Sequence, residues 1–292
     1  MFRGTYTALV TPFKKDEIDA DAFEQLIEAQ IAGGVSGVVP VGTTGESPTL
    51  SCGERHQVIE LAVKVAQDRC QVIAGTGSNS TRDAIVHTQE AEEIGVDGAL
   101  LVAPYYNKPS QEGLFRHFEA IARETSLKLM LYNIPGRCAV DIAADTVVKL
   151  ADACPNIVAI KEASGSVDRV SELVRRLPDG FTVLSGDDSL TLPFLAVGAS
   201  GVVSVASNLF PAEVVRMVNL FLEGWAEEAR EVHRKFFPLF KDIFLEPNPV
   251  PAKTILAWRG VMTAECRLPL VEMSEANRER LRRTLSELER TL

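Results

Sequence analysis

A lysine follows the apolar run Ile157-Val-Ala-Ile160, a tyrosine closes the run Leu127–Tyr132, and two threonines sit between glycines in Gly42-Thr-Thr-Gly45. At the end of a buried strand, the Lys161 ammonium leaves water. Desolvation disfavours the charged amine and lowers its pKa, as a Schiff-base nucleophile requires. Neighbouring strands lie about 4.8 Å apart, so the Tyr132 phenol reaches the lysine and can carry protons during imine formation. The plainer reading of Lys161 is a strand-end lysine paired with Glu162 or Asp187. The tyrosine beside it tips the balance towards catalysis. Around Thr43 and Thr44 the glycines permit a sharp turn that leaves amide N–H groups free for an anion. No Gly-Lys-Ser/Thr follows, so a small carboxylate suits this loop better than a nucleotide. Arg137, in Tyr132-Asn-Ile-Pro-Gly-Arg137, offers a fork for a second carboxylate. The acidic pair Asp187-Asp188 lies where many barrels bind phosphate, which argues against a phosphorylated sugar and allows an ammonium-bearing substrate. Tyr105 and Tyr106 could be packing residues or a lid.

These residues need a scaffold that gathers strand ends. Short apolar runs bounded by turn residues predict strands over Thr5–Val10, Gly37–Val41, Gln71–Ala74, Ala99–Ala103, Leu127–Tyr132, Ile157–Ile160, Thr182–Leu184 and Gly201–Val205. Helix-period segments follow each of them, with start signals such as Ser80-Thr-Arg-Asp and Ser110-Gln-Glu-Gly. The runs are continuously apolar, as in parallel strands buried on both faces. Eight β-then-α units predict a TIM (β/α)8 barrel over residues 1–224. A doubly wound sheet would need a glycine fingerprint after its first strand, where Thr11-Pro12-Phe13 stands instead. Beyond Gly224 the pattern is purely helical, so residues 225–292 read as a small C-terminal helical appendage. Its first two helices are separated by Glu246-Pro-Asn-Pro-Val-Pro251.

Composition narrows the function. The 292 residues carry 30 basic and 40 acidic side chains, a net charge of −10, with no basic stripe for nucleic acid. The cluster Arg278, Arg280, Arg282, Arg283 is interleaved with Glu279 and reads as a solvated face. Residues 189–212 lack charge, but their prolines, glycines and Ser204, Ser207 and Asn208 read as a helix, a tight turn and a buried strand, not a membrane span. Five cysteines without a CxxC pair and four scattered histidines offer no metal-ligand spacing, and a reducing, cytoplasmic setting is expected.

GTTGES at 42–47, PYYNKPSQEG at 104–113, YNIPGR at 132–137, IKEASG at 160–165, SGDD at 185–188 and EPNPVPAK at 246–253 together resemble the dihydrodipicolinate synthase family, in order and across essentially the whole chain. The lysine and tyrosine are shared with the wider pyruvate-dependent class I aldolases, which include N-acetylneuraminate lyase; the arginine of YNIPGR sets the synthases apart from most of these relatives. The resemblance implies that Lys161 forms an imine with pyruvate, and that the resulting enamine attacks aspartate semialdehyde. Tyr132, Thr43 and Tyr106 form the implied proton relay, with Tyr106 contributed across a dimer interface within a homotetramer. Thr43 and Thr44 hold the pyruvate carboxylate, Arg137 that of the semialdehyde, and the Gly186 and Val203 backbones line the pocket. No metal or organic cofactor is implied. The positions matching the family's lysine feedback site are Ser47, Pro48, Cys52, Arg55, Asn79, Asp83 and Tyr105. Lysine-sensitive members typically carry histidines in place of Cys52 and Arg55, and glutamate in place of Asp83. An arginine repels a cationic effector, so weak or absent lysine inhibition is expected. The competing readings are a sugar-acid or hydroxy-oxo-acid lyase, a non-catalytic acid-binding barrel and a pyridoxal-phosphate barrel.

Overall fold

Strands that are apolar at every position must be covered on both faces, and a closed barrel ringed by helices does this. The computed structural model describes residues 2–291, so the outermost residue of each predicted unit, 1 and 292, lies outside it. Among the described residues, eight parallel strands close into a barrel: β1 Gly4–Ala8, β2 Gly37–Val39, β3 Gln71–Gly75, β4 Gly98–Val102, β5 Lys128–Asn133, β6 Ile157–Glu162, β7 Thr182–Ser185 and β8 Gly201–Ser204. They neighbour one another in chain order, and β8 returns to β1 through Gly4↔Gly201 to Thr7↔Ser204.

The helices between them are α1 Ala20–Ala32, α2 Cys52–Ala66, α3 Thr81–Ile94, α4 Gln111–Arg123, α5 Ala144–Ala153, α6 Val167–Arg176 and α7 Thr191–Ala196, with α8 Pro211–Leu222 after β8. Both start signals are real caps. The Ser80 hydroxyl accepts from Asp83 N at 3.3 Å and that of Ser110 from Gly113 N at 3.2 Å, each contributing about 1 kcal/mol. Alternation divides the strand residues into two layers. Tyr6, Val39, Ile73, Leu100, Met130, Ala159, Leu184 and Val203 fill the barrel, while their neighbours pack outward against the helices.

Among the described residues three further helices follow: α9 Ala226–Asp242, α10 Val250–Trp258 and α11 Glu275–Glu289. Phe236, Leu239, Phe240, Ile255 and Leu281 join the same outer core as the barrel helices. Part of the basic cluster on α11 docks the helix: Arg280 pairs with Asp242 at 2.7 Å, and Arg282 lies over the Trp258 ring.

The differences from expectation are local. A charge ended the apolar run at Ile160, but β6 continues through Lys161 and Glu162. Phe13–Lys14 and Glu17–Ile18 form a small hairpin whose turn residues Lys15 and Asp16 have φ of +56° and +65°. Pro135–Cys138 makes one helical turn. Residues 189–212 resolve into α7, β8 and flanking 3-10 turns, and no helix among the described residues is long and apolar enough to cross a membrane.

Candidate active site

Tyr132 and Lys161 are register partners on β5 and β6, two residues beyond the inward-facing Met130 and Ala159. The Lys161 Nζ lies 4.1 Å from the Tyr132 ring centroid, and Lys161 is only 5% exposed. The carboxylates that could have paired with it are engaged elsewhere. Glu162 is tied to Arg169 Nε at 2.7 Å, to Ser164 N at 2.7 Å and to the Asn133 amide at 3.1 Å. Asp187 Oδ1 accepts from the backbone N and the hydroxyl of Ser189, each at 2.8 Å. Burial therefore acts on an unpaired amine and pulls Lys161 down to about 7; the Asp188 carboxylate opposes this and the Arg137 guanidinium adds to it. Burial also pushes the Tyr132 phenol well above its ordinary value, against the pull of Arg137 and the Thr43 hydroxyl. The result is an amine that can be neutral beside a phenol that keeps its proton.

The acidic pair does not form an ammonium site. Asp188 is buried, and its carboxylate accepts from the Ser204 hydroxyl and from the N–H groups of Val205 at 3.0 Å and Ala206 at 3.2 Å. It ties down the turn after β8, and burial raises it to about 6 against those hydrogen bonds. Adjacent acids in a sequence can be spent on backbone donors, and this pair is.

Gly186 follows β7 with no room for a side chain: a Cβ there would lie 2.8 Å from Ala163 Cβ and 3.0 Å from Lys161 Cε. Val203 faces the barrel interior as the register partner of Tyr6. The loop after β2 is held in an unusual shape, with φ of +58° at Val41 and +54° at Glu46. The amides of Gly45, Glu46 and Ser47 are consumed by turn hydrogen bonds, while those of Thr43 and Thr44 have no acceptor among the described residues. Two adjacent N–H groups thus remain for an anion, as the glycine spacing suggested.

A cavity of about 410 Å³ joins the remaining candidates. Thr43, Ile134, Arg137 and Cys138 line it together with Ser47, Pro48, Cys52, Arg55, Ser78, His87 and Tyr105. Arg137 is exposed on the one-turn helix, close enough for its charge to act on both Lys161 and Tyr132. Arg55 donates to Gly75 O at 2.9 Å and Ser47 O at 3.4 Å, which points a cation into the space around Cys52. Asn79, Asp83 and Tyr106 do not line this cavity. Tyr106 is 88% exposed at φ +73°, and Tyr105 is partly exposed, so neither packs in the core.

Residues far along the chain, to which local sequence patterns give no role, hold these loops. Asn248 Nδ2 donates to Thr44 Oγ1 at 2.8 Å. Lys253 is fully buried on Glu46, whose other oxygen accepts from Arg267 N at 3.0 Å. The available signal was a lysine inside the otherwise uncharged Val250–Trp258 helix, since a buried charge needs a partner.

Known proteins resemble this chain over almost its whole length. The model of the dihydrodipicolinate synthetase family matches residues 1–288. The 4-hydroxy-tetrahydrodipicolinate synthase of Endomicrobium trichonymphae is 50% identical, with 98% of each chain covered. The solved structure of the 4-hydroxy-tetrahydrodipicolinate synthase from Methylacidiphilum fumariolicum SolV is 58% identical, with a TM-score of 0.98 over 99% of this chain and 97% of that one. The structure of the Cyanidioschyzon merolae synthase with lysine bound is 42% identical, with a TM-score of 0.96 over 99% and 98%.

Proposed function

The chain belongs to the dihydrodipicolinate synthetase family, and on that premise we propose that Lys161 and Tyr132 are the centre of its catalytic machinery. The chain is a lyase that condenses pyruvate with L-aspartate 4-semialdehyde to give 4-hydroxy-tetrahydrodipicolinate, the first committed step of lysine and diaminopimelate biosynthesis. A sugar-acid or hydroxy-oxo-acid lyase is not favoured, because the full-length relatives at about half identity carry the synthase name.

The observation that carries the residue assignment is a desolvated lysine without a counter-ion, stacked on a protonated phenol. The neutral Lys161 amine attacks C2 of pyruvate, and the carbinolamine loses water to give the imine. Removal of a C3 proton gives the enamine, whose C3 bonds to the aldehyde carbon of the semialdehyde. The amine of the semialdehyde then attacks C2 and closes the six-membered ring as the C2–Lys161 bond breaks. One water is lost overall. Tyr132 passes protons through Thr43. The Thr43 and Thr44 amides and hydroxyls take the pyruvate carboxylate, with the Gly186 and Val203 backbones beside it. The Arg137 guanidinium takes the semialdehyde carboxylate.

The exposure of Tyr106 supports its insertion into the site of a second copy, within a homotetramer built from such dimers. Five free thiols support a cytoplasmic setting. Arg55, directed into the cavity beside Cys52, supports weak or absent lysine inhibition. A steady-state assay returning a submillimolar inhibition constant for lysine removes that part of the proposal.

The direct test of the site is reduction with borohydride in the presence of pyruvate, followed by intact mass and peptide mapping. A reduced adduct on the Lys161 peptide is expected. Folded protein with no adduct, or an adduct elsewhere, overturns the assignment.

A further inference from the structure

The segment Glu246–Lys253 takes no part in the chemistry above, yet it docks on the loop that carries the threonines. Lys253 pairs with Glu46 in the interior, and Asn248 Nδ2 donates to Thr44 Oγ1 at 2.8 Å. Val41 and Glu46 hold left-handed backbone within this loop, which non-glycine residues keep only where the surroundings over-determine it. A hydroxyl has one proton to donate and two lone pairs to fill. Asn248 fills a lone pair of Thr44, and no group among the described residues accepts the Thr44 proton. That proton, beside the free Thr43 and Thr44 amides, is available to an incoming acceptor.

We propose that Asn248 is a positioning residue: by donating to Thr44 Oγ1, it aims the Thr44 proton at the carboxylate of pyruvate. The proposal rests on the reading of the Thr43–Thr44 loop as the carboxylate site. Asn248 Oδ1 is buried and has no partner among the described residues, so no second bond there fixes the amide. An amide turned over would accept the Thr44 proton and cancel the donor. Asn248→Asp, which can only accept, imitates that state.

The test is steady-state kinetics on the full-length enzyme with each substrate varied in turn. Asn248→Ala raises the pyruvate KM roughly tenfold, the loss of about one oriented hydrogen bond. Asn248→Asp raises it further. The semialdehyde KM and kcat stay within about twofold, a split that a general loosening of the fold would not produce. Asn248→Ser keeps a donor and recovers part of the affinity; if the alanine variant does not fold, serine against aspartate carries the comparison. In a Thr44→Val background, Asn248→Ala adds nothing further. An unchanged pyruvate KM, both KM values rising together, or effects that multiply in the double variant overturn the proposal. Borohydride trapping on the unmodified enzyme separates the two readings. Without an adduct on Lys161 the site assignment fails. With an adduct and a pyruvate KM indifferent to Asn248, only the positioning role fails.

Discussion

Among the described residues two lysines are buried, each stacked on an aromatic ring, and only one of them lacks a carboxylate partner. Lys161 is 5% exposed with its Nζ 4.1 Å from the Tyr132 centroid; Lys253 is 0% exposed with its Nζ 4.3 Å from that of Phe13. Burial lowers the pKa of both. They differ in what surrounds the nitrogen. Lys253 donates to Glu46 and to Glu265 O at 2.8 Å, so its charge is compensated and two of its three hydrogens are used. Lys161 has no ion-pair partner among the described residues; the influential carboxylate, Asp188, is already held by three donors. Burial alone suits a structural lysine as readily as a nucleophile, and it is the absence of a counter-ion that leaves an amine free to be neutral, as the proposed role of Lys161 requires.

Replacing each lysine by methionine is the strongest way to break this comparison. Lys161→Met lowers turnover by a factor of about 1,000 or more and removes the borohydride adduct. Its melting temperature holds or rises, because an uncompensated buried amine has been removed. Lys253→Met keeps the adduct on Lys161 but strands Glu46. Breaking a buried pair costs about 3–5 kcal/mol, which lowers the melting temperature by roughly 10 °C. Equal melting shifts for the two variants would erase the distinction.

The pH dependence of trapping sharpens it. Only the neutral amine attacks, so with Lys161 near 7 the trapping rate climbs about tenfold per pH unit below 7 and flattens above it. A rate still climbing at pH 9 would place Lys161 among ordinary exposed lysines. The smallest effect is expected from Asp188→Asn. The carboxylate raises the Lys161 pKa, so its neutralisation moves the trapping midpoint to lower pH.

How much of this could be read in the sequence follows from the range of the forces involved. The strands and the Lys161–Tyr132 pair were legible because apolar runs and their ends are local signals, and the parallel register then places the two residues side by side. The free amides of Thr43 and Thr44 followed from turn chemistry, and Arg137 was singled out by its guanidinium fork alone. Asp188 was misread because sequence does not show whether an acid faces a ligand or backbone N–H groups. Val205 and Ala206, its partners, lie in the turn after the next strand. Asn248 and Lys253 stood inside a recognised motif without a role, because their partners Thr44 and Glu46 are 204 and 207 residues away. The hairpin at Phe13–Ile18 escaped because two-residue strands carry no periodicity.

Those separations also set a timetable for the newborn chain. The eight strands are complete once residue 204 has been made, but the segment that grips the Thr43–Thr44 loop ends at residue 253. At synthesis rates of about 5–20 residues per second, roughly 10–40 s pass between the making of Glu46 and of Lys253. Throughout that interval the Glu46 carboxylate lacks its ammonium and the left-handed turns at Val41 and Glu46 lack their clamp. A nascent barrel can therefore close around Lys161 before the loop that carries Thr43 and Thr44 is clamped, and that clamp arrives only once Lys253 has been made.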